Sequence, residues 1–237
     1  MASYVLVHGA WHGAWCWDKV VPLLEAEGHS VTTVDLPGHG ENSSDVAGMT
    51  LDSYAQEVVA RVEAAGEPVV LAGHSMGGMP ITQAAELVPN KIAALVYVCA
   101  FLPGDGQSLL QVADGDPAAQ VLPNLQVDEA AGLCEVAEDA RVACFYEECD
   151  PADAAAASSR LVPESLAAFA APASLTEERA GSVRRVYVEC LRDHAISIAK
   201  QREMYAARPC ERVLTLDTDH SPFLSRPDEL AAHLLSV

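Results

Sequence analysis

Residues 73–78 read GHSMGG and set one serine, Ser75, between the apolar run 69–72 and the alanine-rich stretch that begins MPITQAAEL. A serine hydroxyl attacks a carbonyl only when a base takes its proton and an acid orients that base. Two later stretches supply such partners. His220 stands in LTLDTDHSPFL just past one apolar run, and Asp193 stands in VYVECLRDHAIS just past the run before it. The pattern G-x-S-x-G between a strand and a helix forces the serine into a strained turn, with its Oγ held clear of the sheet. Glycine is needed at Gly73 and Gly77 because a side chain at either would meet neighbouring backbone. The chain order Ser75, Asp193, His220 is the one expected where such a turn carries a triad. Asp105 stays open as an alternative acid, and His194 is the nearest competitor of His220. Asp217 and Asp219 lie too close in sequence to turn back onto the imidazole.

Acyl transfer also needs donors for the oxyanion that forms in the transition state. The first apolar run leads into VLVHGAWHGAWCW, where His8 and Gly9 precede Ala10. The amides of Ala10 and Met76 are the expected pair of donors, helped by the positive end of the helix that follows Ser75. Trp11 and His12, in the same loop, are the candidate substrate contacts. Seven scattered cysteines form no C-x-x-C and no Cys/His spacing suited to zinc. No metal and no organic cofactor is expected.

These groups need a scaffold that brings distant segments together. Short β-branched runs at 4–7, 30–34, 69–72, 95–98, 186–188 and 213–216 alternate with helical patterns, which predicts an α/β domain with a mostly parallel sheet of about six strands and helices on both faces. Gly28 closes one helix; Thr50 opens and Gly66 closes another; a helix over 196–208 precedes Pro209. Ser225 and Asp228 have the spacing of a capping box for the last helix. Between 103 and 182 the rhythm breaks: we find no strand pattern there, only short helical pieces at 138–147 and 163–170. A loop of that length is foreign to a compact sheet, so a helical cap inserted after the fourth strand is expected, with residues 1–102 and 183–237 forming the core. Leu122, Leu125, Phe145, Tyr146, Leu166 and Phe169 are the cap side chains expected to wall an apolar pocket.

Half of the 237 residues are apolar, enough for a substantial core. Fourteen basic against thirty-four acidic residues give a formal charge of −20, which argues against nucleic acid and anionic membranes as partners. The stretch MASYVLVHGAWHG has no basic leader, so a cytoplasmic protein with reduced thiols is expected.

The stretches VLVHGAWHGAWCW, DLPGHG, GHSMGG, VYVCAFLP, VECLRDHAI and DTDHSPFLSRPDEL together resemble the α/β-hydrolase branch that holds plant methylesterases, hydroxynitrile lyases and related bacterial esterases. The resemblance spans almost the whole chain and is least specific in the cap. It implies the α/β-hydrolase fold, with Ser75 as nucleophile, His220 as base, Asp193 as acid, and Ala10 and Met76 as oxyanion amides. It also implies a small-molecule ester as substrate and allows a homodimer. The lyases of this branch carry a hydroxyl residue after the first His-Gly and a lysine after the catalytic histidine. Ala10 and Ser221 stand at those positions here, so hydrolysis of small to medium, neutral, apolar or aromatic esters is the expected activity. Lyase chemistry and a non-catalytic small-molecule receptor are the alternatives.

Overall fold

The computed structural model describes residues 1–42 and 44–237. Six strands, β1 (Ser3–Val7), β2 (Ser30–Val34), β3 (Val69–His74), β4 (Ile92–Val98), β8 (Arg185–Cys190) and β9 (Arg212–Leu216), form one sheet in the order β2-β1-β3-β4-β8-β9. All five pairings are parallel. Side chains alternate between two apolar layers, as the two-residue strand period requires. Val5, Val7, Leu71 and Tyr97 face the layer covered by α2 (Leu51–Ala64), α3 (Gly78–Leu87) and α8 (Ile198–Ala207). Tyr4, Leu6, Ala72 and Val98 face the layer covered by α1 (Val21–Ala26) and α10 (Pro227–Leu235). Both faces of the central strands are therefore buried, which is why they read as continuous apolar runs rather than alternating ones.

Local signals set the helix ends. The Thr50 hydroxyl accepts from the Ser53 amide at 3.3 Å, and Ser53 Oγ accepts from the Thr50 amide at 3.4 Å, a closed capping box. Gly66, just past α2, has φ of +74° and ends it in the left-handed conformation that suits glycine. The capping box expected at Ser225 does not form. Ser225 instead ends α9 (Pro222–Ser225), and its hydroxyl donates to Asp219 Oδ1 at 3.0 Å in the loop that carries His220. Arg226 then stands at the start of α10 with no side-chain cap.

Between β4 and β8 the chain builds α4 (Leu109–Ala113), α5 (Arg141–Phe145), α6 (Pro151–Ser159) and α7 (Leu166–Ala170). It also builds a small antiparallel sheet of β5 (Leu125–Asp128), β6 (Leu133–Val136) and β7 (Glu164–Ser165). The sequence reading missed these strands. Runs of four, four and two residues are too short to show a two-residue period against their helical flanks. The helical piece expected over 163–170 divides accordingly into β7 and α7. Among the described residues no helix is long and apolar enough to cross a membrane. All seven cysteines are free thiols, six of them buried.

Candidate active site

Three non-glycine residues among those described have positive φ: Trp11 at +64°, Ser75 at +52° and Cys99 at +35°. They follow β1, β3 and β4 at one edge of the sheet, the carboxyl edge where sites of open parallel sheets form. Such conformations cost about 1–3 kcal/mol each and persist only where the surroundings impose them. At Ser75 the surroundings are visible. A Cβ at Gly73 would lie 2.6 Å from the Gly77 carbonyl oxygen, one at Gly77 would lie 2.6 Å from the His8 carbonyl oxygen, and one at Gly78 would lie 2.0 Å from the Phe101 carbonyl oxygen. The first two were expected from the motif. The third reflects contact with the segment after β4, which local sequence does not reveal.

His220 follows β9 and Asp193 follows β8. His220 Nδ1 donates to Asp193 Oδ2 at 2.8 Å, and both side chains are buried. The carboxylate is held from every side: Oδ1 accepts from the amides of Ala195 (2.7 Å) and Ile196 (2.8 Å), and Oδ2 also accepts from Gln201 Nε2 (3.1 Å). Asp105 instead accepts from the Leu175 amide, and His194 is exposed and paired with Glu147. Asp219, beside the imidazole, accepts from the amides of Ser221 and Glu148. The His220 carbonyl accepts from His74 Nε2 at 2.7 Å, and the two rings lie 4.6 Å apart. Burial holds His74 well below the usual imidazole range, with the neighbouring His220 and His12 adding to the effect, so it acts as a neutral donor with a bare Nδ1. Among the described residues the imidazole of His220 uses only Nδ1 in hydrogen bonding, and no hydrogen bond joins its Nε2 to Ser75 Oγ.

The loop after β1 is equally fixed. Among the described residues no backbone hydrogen bond of a turn or loop uses the amide of Ala10 or of Met76. His8, which sequence reading treated only as a marker of the loop, holds the Gly9–Ala10 peptide: its Nδ1 donates to the Gly9 carbonyl at 2.7 Å while its Nε2 accepts from the Leu36 amide at 3.1 Å. Burial pushes His8 well below the usual imidazole range, which keeps this neutral tautomer in place. His12 has a similar part. Its Nδ1 donates to the Ala10 carbonyl at 2.7 Å, its Nε2 accepts from Tyr146 Oη at 2.8 Å, and burial lowers it to about 3. His12 is buried and, unlike Trp11, is not among the residues lining the cavity above Ser75.

Trp11 lies in the wall itself. It ties the loop to the segment between β4 and β8 through three bonds: Nε1 to the Cys134 carbonyl (3.0 Å), its own carbonyl from the Val162 amide (3.0 Å), and its amide to Glu164 Oε2 (3.4 Å). Glu164, wholly buried, also touches His39 Nε2 at 3.0 Å and accepts from Tyr54 Oη at 2.5 Å. Nothing in the sequence marked Glu164 as buried, because its partners come from three separate segments.

A cavity of about 610 Å³ of non-atom space, partly open to solvent, lies over Ser75, Met76, Ala10 and Trp11. Of the side chains expected to wall it, Leu122, Leu125, Phe145 and Phe169 do so, while Tyr146 and Leu166 do not; Phe101, Leu109 and Ile196 are additions. His74, Cys99 and His220 bring one donor atom each within 4.8 Å of one another. Burial pushes the Cys99 thiol well above its usual range, and a thiol must lose its proton to hold a cation, which works against this trio as a cation site.

Comparison with known proteins gives the family of this fold. The model of the alpha/beta hydrolase family matches residues 4–233. The chain belongs to that family. It is similar to Methylesterase 9 of Arabidopsis thaliana, 33% identical over 100% of this chain and 98% of the relative, and to Salicylic acid-binding protein 2 of Nicotiana tabacum, 36% identical over 99% and 96%. Among solved structures it resembles polyneuridine aldehyde esterase, at 31% identity and a TM-score of 0.88 over 100% of this chain and 98% of that one. These likenesses place this alpha/beta hydrolase in the branch of the plant methylesterases.

Proposed function

We propose that this carboxylic ester hydrolase cleaves small to medium, neutral, apolar esters through an acyl-enzyme on Ser75. The observation that carries the reading is the buried Asp193–His220 hydrogen bond at the strand edge where Ser75 opens into an apolar cavity. Rotation of the Ser75 hydroxymethyl group toward His220 Nε2 completes the relay; such contacts commonly tighten only with substrate bound. His220 takes the Ser75 proton as Oγ attacks the carbonyl, the amides of Ala10 and Met76 hold the oxyanion, and His220 then protonates the departing alcohol. Water repeats the sequence on the acyl-enzyme. Asp193 keeps the Nδ1–H tautomer, leaving Nε2 free to take the proton.

The relatives named as methylesterases support a methyl ester as the natural form, with the acid part filling the cavity. The position beside His220 holds Ser221, a buried residue whose hydroxyl has no partner and carries no charge to stabilise a departing cyanide. That supports hydrolysis over lyase chemistry. The test is Ser75→Ala assayed with p-nitrophenyl butyrate, alongside labelling of the native protein by a fluorophosphonate. Loss of turnover with an unchanged circular dichroism spectrum, and a single adduct at Ser75, are expected. Turnover retained in Ser75→Ala, or labelling elsewhere, refutes the assignment.

A further inference from the structure

Lys200 is, with Asp116, one of two charged residues in a cavity wall that is otherwise mostly apolar. It sits among apolar side chains with only 6% of its own side chain exposed, yet burying an ammonium group is costly unless the charge is paired. The pairing lies on the far side. Nζ donates to the Asp114 carbonyl at the end of α4 (3.0 Å) and to Glu203 Oε1 (3.0 Å), a carboxylate turned to solvent. A second, outer pocket lies there, lined in part by Gly104, Gln107 and Arg208, and among the described residues Lys200 is the one lining both it and the inner cavity. Its backbone is fixed as well: the Lys200 amide donates to Ser197 Oγ at 3.2 Å, and the Ser197 amide donates to Asp116 Oδ2 at 2.9 Å. With the head drawn outward, the four-methylene stem is what faces the inner cavity, the usual division of a long cationic side chain between apolar and wet surroundings.

We propose that Lys200 is a specificity-determining residue: its stem is the partition between the inner cavity and the outer pocket, and it limits the length of the apolar chain the enzyme accepts. The proposal rests on the ester-hydrolase reading of the site. Shortening residue 200 joins the two spaces and admits longer chains, each newly admitted methylene changing transition-state binding by about fourfold.

The experiment compares kcat/KM for p-nitrophenyl butyrate and p-nitrophenyl dodecanoate. In Lys200→Ala the dodecanoate-to-butyrate ratio rises at least about tenfold. In Lys200→Met, which keeps a stem of similar length without charge, the ratio stays within about threefold of the native value. An unchanged ratio in folded Lys200→Ala overturns the proposal, as does an equal rise in Lys200→Met, which would assign the limit to charge. Should Lys200→Ala not fold, Lys200→Val carries the same expectation. Binding of a dansyl-labelled undecanoate, followed by fluorescence, supplies a readout free of catalysis: Lys200→Ala binds it at least about tenfold more tightly than the native protein. If the native protein hydrolyses no ester, the functional reading fails while this binding comparison still decides the partition.

Discussion

Removing the Glu164 carboxylate should destabilise this protein strongly, although the residue lies outside the six-stranded sheet. Glu164 is wholly buried and joins three other segments: His39 through an ion pair at 3.0 Å, Tyr54 of α2 at 2.5 Å and the amide of Trp11 at 3.4 Å; it also accepts from the amide of its own neighbour Ser165 at 2.8 Å. In Glu164→Ala the His39 imidazole, the Tyr54 hydroxyl and the Trp11 amide lose their acceptor in a site closed to water. Breaking one side of a buried pair costs about 3–5 kcal/mol, which for a chain of this size lowers Tm by about 6–20 °C. Glu164→Gln keeps the shape and one acceptor and should lose about 1–3 kcal/mol. The pH dependence has a definite sign. Burial lowers the His39 pKa, but the Glu164 carboxylate and its hydrogen bond outweigh that and the net shift is upward. A raised folded-state pKa makes the contribution complete below the unfolded value near 6.5, and it is lost as pH rises through the folded value. The native protein should therefore exceed Glu164→Gln by more at pH 6 than at pH 9, read from urea unfolding followed by tryptophan fluorescence. A Glu164→Ala protein within about 1 kcal/mol of native, or a gap that widens with pH, refutes the argument.

Asp193→Asn should lower kcat by about 10⁴-fold with a small change in KM, since the amide permits the wrong imidazole tautomer; steady-state kinetics showing more than a tenth of native kcat would contradict it. His8→Phe removes the donor that holds the Gly9 carbonyl and should reduce kcat by about 10–100-fold with KM nearly constant, whereas a change confined to KM would place His8 in substrate binding. In Gly78→Ala the helix propensity of alanine favours the variant by about 1 kcal/mol, but the added Cβ would stand 2.0 Å from the Phe101 carbonyl oxygen, so thermal unfolding should show a net loss. Below pH 6.5 stability should fall steadily, because His8, His12 and His74 are buried neutral and must take up protons on unfolding; for His12, which drops to about 3, the loss reaches about 5 kcal/mol, and urea midpoints unchanged between pH 7 and 4 would exclude this.

The amino-acid sequence determined what is local. Core strands appear as apolar runs because both faces of the sheet are buried, and the turn at Ser75 appears because glycines must stand at 73 and 77 where backbone meets backbone. Asp193 and His220 were legible as the residues just past β8 and β9, since a parallel sheet delivers those strand ends to one edge. What depends on distant segments was settled only by the tertiary structure. Ser225 has the sequence of a helix cap, yet it bonds to Asp219 because the loop of His220 packs there. His12 stands beside Trp11 in the sequence, but only the fold shows that it links the Ala10 carbonyl to Tyr146, more than a hundred residues away. Glu164 and Lys200 carry no local mark of burial in the sequence, and they are buried because partners from other segments meet them and replace the water they lose. Burial of a charge is decided by what arrives from elsewhere in the chain, and no local pattern of residues encodes that arrival.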